Sequence, residues 1–296
     1  MERATQKIIQ KIQAKFPDVT NVFTLLENLT QSELNSFLLE LFRQKSEKTN
    51  PTEVLKKFNS NRFVAPSQID PIQLKELEIV WLKCAKAKNF SPIVLSPVTT
   101  FGTSSSMGFV NQNKVITALR GTEVVSDATN VLALKIAHEF KNNNDKDLIL
   151  RYTATHRHIR GQYFSNPNFT AHFSIMCLVS GGYDKGNYKF EINQLEEHIE
   201  LMYTLLKTKF DEHQLAIKFL VKKNSEKFQS LLRNTSDAFW STKDVEWVDD
   251  FDNKYYQTIQ FKIDLSVKDQ TINIVDGGDV DWTQKLLNNR KHRLFI

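Results

Sequence analysis

The spacing of apolar positions divides the chain into a helical N-terminal part and a longer part that alternates strands with helices. Ile8, Ile9, Ile12 and Phe16 share one helical face. Thr30 and Glu33 form the S/T-x-x-E signature of a capping box. Behind it Leu34, Phe37, Leu38, Leu41 and Phe42 keep the three-four spacing of an amphipathic helix. Asn50-Pro51-Thr52-Glu53 opens a further short helix ending near Phe58. These elements predict a helical cap over residues 1–65, packed on a larger domain of residues 66–296, with Pro66 and Pro71 at the boundary.

Beyond the boundary a helical pattern runs from Ile72 to Lys88 through Leu74, Leu77, Val80, Trp81 and Cys84, and Asn89 stops it. A strand is predicted over Phe90 to Leu95, a small-residue turn over Gly102 to Gly108, and another strand over Lys114 to Arg120. Asp127 or Thr129 caps a helix from Asn130 to Phe140. Leu150 to Phe173 then predicts two antiparallel strands around a loop. A short strand at Tyr188 to Phe190 and a long helix from Asn193 to Phe210 follow. Strands are predicted at Leu215–Val221, Tyr256–Ile263 and Thr271–Val275; Gly277-Gly278 breaks the last, and Trp282 to Leu287 is helical. Helices first, then a mostly antiparallel sheet with helices between strands, is the order of an α+β protein.

Composition narrows the classes. With 296 residues and 41% hydrophobic content the chain supplies a sizeable core. A net charge of +5 comes from 39 basic against 34 acidic residues, a mixed surface without a single-sign block. Cys84 and Cys177 are far apart and outside any CxxC, which excludes a disulfide framework or thiolate zinc cluster and fits the cytoplasm. The charged N-terminus lacks a signal-peptide core, and no run is long and apolar enough for a membrane. P-loop, GxGxxG, GxSxG and HExxH motifs are all missing.

The candidate chemistry is mostly basic. Strand alternation puts Arg151, Thr153, Thr155 and Arg157 on one face, with Tyr152, Ala154, His156 and His158 on the other. An arginine leaving such a strand suits phosphate or carboxylate, because its planar fork donates two parallel hydrogen bonds. Arg120, Arg160 and His172 extend this cluster, and the same arginines equally fit a solvated sheet face or pairs with Glu123 and Asp127. His156, His158 and His172 invite a metal reading, but the arginines beside them and the lack of a nearby carboxylate argue for ligand-facing or surface histidines. Gly277-Gly278-Asp279 allows close backbone approach and offers a carboxylate to an amine or hydroxyl. Asp281 either joins it or caps the following helix.

Taken in order, these segments resemble the catalytic core of class II aminoacyl-tRNA synthetases, most nearly the histidyl type and its non-synthetase paralogues. The helix and strand from Leu74 to Pro97 look like the family's first motif, which builds a dimer interface. ALRGTEVVSDATNVLAL resembles the segment that contacts the amino-acid substrate, which implies roles for Arg120, Glu123, Asp127 and Thr129. HRHIRGQYFSNPNFTAHF resembles the second motif, with Arg157 in the place of the arginine that holds the ATP α-phosphate. VDGGDVDWTQKLL is similar to the histidyl family's Gly-Gly-Arg-Tyr-Asp turn, retaining Gly277, Gly278 and Asp281.

The sequence also departs from that pattern. Ile159 stands where the second motif carries glutamate, Asp279 where the turn carries arginine, and Arg293-Leu294-Phe295-Ile296 falls about where the third motif begins. The resemblance therefore implies a class II synthetase-like fold, a mixed and mainly antiparallel sheet flanked by helices. It further implies a homodimeric paralogue that binds a small anionic or amino-acid-like ligand, with a regulatory role as one reading, and the departures imply no efficient aminoacylation. The alternatives are an ATP- and Mg²⁺-dependent carboxylate-adenylating ligase and a non-catalytic RNA-binding module.

Overall fold

The computed structural model describes residues 2–17, 22–162, 170–211, 214–235, 245–268 and 270–296. Five helices come first: α1 (Glu2–Lys15), α2 (Val22–Glu27), α3 (Gln31–Glu47), α4 (Pro51–Ser60) and α5 (Pro71–Ala87). The capping box of α3 is reciprocal: the Thr30 hydroxyl accepts from the Glu33 N–H, and the Glu33 carboxylate accepts from the Thr30 N–H at 2.7 Å. Asn50 and Asp70 cap α4 and α5 through their side chains alone, each ahead of a proline in the first turn.

The helices expected to form the cap are largely exposed. None of α2, α3 and α4 holds a buried residue, and Phe37, Phe42, Leu55 and Phe58 are all exposed. Links to the rest of the chain include polar contacts, such as Arg62 Nη2 donating to the Gly161 carbonyl at 2.7 Å. Helical periodicity marks the face a helix would bury, and among the described residues α2, α3 and α4 bury none of theirs.

The remaining elements alternate: β1 (Ser91–Pro92), β2 (Val98–Thr100), α6 (Thr103–Gly108), β3 (Thr117–Ala118), β4 (Thr122–Val124), α7 (Ala128–Asn142), β5 (Leu150–Ile159) and β6 (His172–Tyr183). Then follow α8 (Lys189–Lys207), β7 (Leu215–Lys222), α9 (Glu226–Thr235), β8 (Val245–Phe251), β9 (Ile259–Val267), β10 (Gln270–Val280), α10 (Trp282–Leu287) and β11 (His292–Phe295). Eight strands form one sheet in the order β1-β5-β6-β11-β10-β9-β7-β8, and β2-β4-β3 form a small second sheet. Among the described residues the β1–β5 and β7–β8 pairs of the large sheet are parallel and its other pairs antiparallel, so it is mixed and mainly antiparallel.

Both faces of the sheet carry helices. On one, Leu132, Ile136 and Phe140 of α7 pack with Ala154, Val179, Leu294 and the fully buried Trp282. On the other, Leu195 and Ile199 of α8 pack with Phe219, Ile263 and Phe295, while Leu201 and Leu205 meet Phe90, Met176 and Leu178. A Cβ on Gly181 would lie 2.5 Å from Ile136 of α7, and one on Gly182 would lie 2.7 Å from Phe190 of α8. The adjacent glycines thus let two helices press on β6 from opposite sides.

Several local expectations are corrected. Gly102 to Gly108 contains the short helix α6 instead of a simple turn, because the buried Glu123 carboxylate gathers the N–H groups of Gly102 and Ser104. Lys114 to Arg120 yields only the two-residue β3 after a 3₁₀ turn at Gln112–Lys114. Tyr188 to Phe190 is no strand: Tyr188 is left-handed, with φ of 55°, and α8 starts at Lys189. Finally, Gly277-Gly278 does not break β10, which continues to Val280.

Candidate functional site

The centre of the sheet is open beside the short strand β11. β11 pairs with Ser180–Tyr183 of β6 and with Asp279 and Val280 of β10. Past Ile296, the Ser174–Leu178 stretch of β6 and the Asn273–Asp276 stretch of β10 flank a cleft of about 760 Å³. Gly278 and Ile296 exchange two backbone hydrogen bonds at its foot, of 2.9 and 3.0 Å. A Cβ on Gly277 would come 2.5 Å from the Ile296 carbonyl, and one on Gly278 would come 2.2 Å from the Ile259 carbonyl. These glycines serve backbone packing within the sheet.

One wall is built by the end of β5 and the start of α7. Asp127 is the N-cap of α7: its Oδ1 accepts from the Thr129 N–H at 3.0 Å and from the Thr129 hydroxyl at 2.7 Å. His158, only 1% exposed, accepts from the Ala128 N–H through Nε2 at 3.0 Å. Its neutral ring therefore carries the proton on Nδ1, which is buried without a partner. Burial pushes the His158 pKa down to about 4, the charge of Asp127 opposes that shift, and His156 and Arg160 reinforce it. Arg160 lines the same wall, its Nε 3.4 Å from the Ser126 carbonyl and its guanidinium 5.2 Å from the centre of the Phe173 ring.

The facing wall is acidic and aromatic. Tyr255 donates to Asp127 Oδ2 at 3.3 Å, and Tyr256 donates to Asp276 Oδ1 at 3.0 Å. Gln260 adds a second donor to Asp276 Oδ1 at 2.7 Å. Burial raises the Asp276 pKa; bonds from Gln260 and Tyr256 oppose the shift, and the charge of Asp127 adds to it. Burial, followed by the neighbouring carboxylates, holds both tyrosines well above the ordinary phenol value, so they stay donors. The cleft thus gathers a guanidinium, a buried imidazole N–H and two carboxylates held by tyrosine hydroxyls. That arrangement matches a ligand carrying both signs of charge.

The residues singled out from the sequence separate into groups. Asp127, Thr129 and Arg160 meet in the cleft. Arg157, the arginine expected at its centre, is exposed and engages His172 Nδ1 at 2.7 Å, while His172 Nε2 lies 2.6 Å from the Ala65 carbonyl. Alternation along β5 sends Arg157 one way and His158 the other, and the cleft lies on the His158 side. Residues 163–169, the loop expected between these strands, lie outside the described residues. His156 and His158 do converge, with ring centres 5.1 Å apart, but His172 belongs with Arg157. Among the described residues no three His, Cys, Asp or Glu side chains converge to hold a metal.

Arg120 sits exposed and left-handed, with φ of 68°, in the turn between β3 and β4. Glu123 is fully buried and accepts from the Gly102 N–H, the Ser104 N–H and hydroxyl, and Gln112. Burial raises its pKa, and these bonds outweigh burial and hold it below the ordinary carboxylate value. Asp279 is buried outside the cleft, accepting from the Thr258 and Ile259 N–H groups at 2.9 Å. Asp281 is the N-cap residue of α10, makes no capping bond and pairs with Lys285 at 2.8 Å. Tyr255, Tyr256, Gln260 and Asp276 were not anticipated.

No family model matches the chain, and no curated protein matches its sequence. Solved structures do match. S. aureus histidyl-tRNA synthetase is 9% identical with a TM-score of 0.56, over 77% of this chain and 64% of that one. An ATP phosphoribosyltransferase regulatory subunit/histidyl-tRNA synthetase from Bacillus halodurans is 11% identical with a TM-score of 0.59, over 79% of both chains. The RNA binding domain of threonyl-tRNA synthetase from Cryptosporidium parvum is 8% identical with a TM-score of 0.59, over 76% of this chain. This chain spans 60% of that threonyl structure and 64% of the histidyl one, less than two thirds of each. No described helix is long and apolar enough to cross a membrane. Sheet order, flanking helices and these neighbours together show that the chain has the catalytic-core fold of class II aminoacyl-tRNA synthetases.

Proposed function

We propose that the protein is a divergent, non-aminoacylating relative of the synthetase core whose cleft binds a small amino-acid-like ligand, in a regulatory role. The observation that carries the reading is the presence of both signs of charge within one cleft, Arg160 and Asp127 at the β5–α7 wall and Asp276 on the facing one. Arg160 and the His158 Nδ1–H receive the ligand's carboxylate, and Asp276 with Asp127 receives its ammonium. Thr129 and Gln260 orient what lies between. A cation beside Asp276 also offsets the cost of burying that carboxylate. The Bacillus halodurans neighbour, described as a regulatory subunit/histidyl-tRNA synthetase, supports the regulatory half of the reading.

Calorimetric titration with the twenty free amino acids tests this directly. One or more should bind saturably, and Arg160→Met and Asp276→Asn should each weaken that ligand about tenfold or more, the loss expected for a charge-assisted hydrogen bond. Absence of binding by every amino acid overturns the reading. ATP–pyrophosphate exchange with the same panel should stay at background; robust exchange selects the adenylating-ligase alternative. Steeply salt-dependent RNA binding with no amino-acid binding selects the RNA-binding one.

The same proposal includes a homodimer built on α5 and the edge strand β1. Ile72, Ile79 and Val80 are exposed along α5, and Val94, just past β1, is almost wholly exposed. A two-fold interface pairs the same elements from each subunit. Sedimentation at micromolar concentration should show a dimer, and Val80→Glu should shift it toward monomer.

A further inference from the structure

A second cavity, of about 400 Å³, lies where the ends of β10 and β11 meet the start of α8, and it shares no lining residue with the cleft. Three carboxylates line it, from Asp184, Glu191 and Asp279, against two cations, Arg293 and Lys227. Lys227 Nζ donates to the Asn187 side-chain carbonyl at 3.0 Å. Arg293 bonds Asp184 through Nη2, lies 3.0 Å from Glu191 Oε1 through Nε, and gives Nη1 to the Arg290 carbonyl at 2.8 Å. Asp279 is satisfied by backbone N–H groups.

Glu191 is the exception. It is 4% exposed, and its Oε2 has no hydrogen-bond partner. Burial, with the charges of Asp279 and Asp184 added and that of Arg293 opposing, pushes its pKa up to about 7. A buried carboxylate oxygen without a donor is costly, and carboxylates outnumber cations around the cavity. Both facts call for a positively charged donor. The neutral lining groups Gln257, Thr258 and Gln284 suit the polar remainder of an organic molecule.

We propose that this cavity is a second ligand site that takes a small organic cation, whose ammonium donates to Glu191 Oε2 between Asp184 and Asp279. The inference is independent of what occupies the cleft. The probe is 1,4-diaminobutane, titrated into the full chain by calorimetry at pH 7 in two buffers of different ionisation enthalpy. One saturable site is expected, with proton release on binding, because an incoming cation drives Glu191 toward its ionised form. Glu191→Gln should weaken the diamine at least tenfold and abolish the proton release. If that variant fails to fold, Asp184→Asn should weaken the diamine severalfold. Absence of saturable binding, or unchanged affinity in the variant tested, overturns the proposal. A parallel titration of Asp276→Asn separates the two sites: loss there with Glu191→Gln intact would place the cation in the cleft and overturn it too. Equal competition by MgCl₂ would make the site one for inorganic cations and overturn the ligand class.

Discussion

Helices α3 and α7 are both capped, both amphipathic and of similar length, yet one holds seven buried residues and the other none. Leu132 and Ile136 of α7 are fully buried against β6 and α10, whereas Phe37 and Phe42 of α3 are about half exposed. Local chemistry supports α3 in compensation: the Thr30–Glu33 box, and Arg43 bridging Glu40 and Glu47 one turn to either side. Such exposed pairs contribute only a few tenths of a kcal/mol each. Periodicity creates an apolar stripe, and only a second surface turns that stripe into stability, because hydrophobic free energy follows area removed from water.

The sharpest way to break this contrast is to delete apolar groups from the two helices and compare. Leu132→Ala in α7 should destabilise the protein by about 2–5 kcal/mol in urea unfolding, from lost transfer energy plus the cavity left behind. A smaller cost would mean that the helix is less tightly packed than its burial implies.

Buried polar groups extend the comparison through pH. The folded pKa of His158 is about 4 against an ordinary 6.5, so in that interval the unfolded chain binds the extra proton. Stability is therefore lost as pH falls from 6.5 through 4, by roughly 3 kcal/mol for this group at 1.36 kcal/mol per unit. His198, buried and lowered to about 3, adds loss in the same direction. His158→Gln should flatten the acid limb of the stability–pH curve without abolishing it; an unchanged limb would mean that His158 is solvated.

Glu191 works in the opposite sense. Its folded pKa, about 7, lies above the ordinary 4.5, and Asp184, Asp279, Arg293 and Lys227 face it around the cavity. Both states hold the proton below pH 4.5; between 4.5 and 7 the unfolded chain releases it first, so stability falls as pH rises. Against Glu191→Gln, the wild type should lose roughly 2–3 kcal/mol more across that window. Parallel curves would refute the burial of this carboxylate. The smallest effect belongs to the exposed helices: Phe58→Ala in α4 should change the unfolding free energy by no more than about 0.5 kcal/mol in the monomer. A loss of 2 kcal/mol would show that α4 buries this side chain in solution.

Much of the fold was legible because its signals are local. The Thr30 box, the Asp127 cap, the stop at Asn89 and the helix from Trp282 each depend on groups within a few residues, where side-chain oxygens satisfy free N–H groups or left-handed geometry ends a helix. The resemblance of the ordered segments to a synthetase core rested on the same kind of information, and the sheet order agrees with it. Short strands such as β3 are too brief for a period to stand out, whereas β8 and α9 went unread although Phe228, Leu231 and Leu232 of α9 keep helical spacing.

The site was legible only in part. Alternation along β5 correctly separated Arg157 from His158 onto opposite faces, as the exposure of one and burial of the other show. Which face met the cleft was decided by α7, whose Ala128 N–H found the His158 ring thirty residues away. Glycines 277 and 278 read as a strand break because nothing nearby in sequence indicates that Ile296 pairs with Gly278. The acidic wall depended on Tyr255 and Tyr256 meeting Asp127 and Asp276 across the molecule. The amino-acid sequence by itself determined where capped helices such as α3 and α4 begin, which residues share a face and the overall class of fold. Tertiary structure alone decided which faces are covered and which charges meet, because those outcomes depend on long-range pairing between segments whose local patterns do not name their partners.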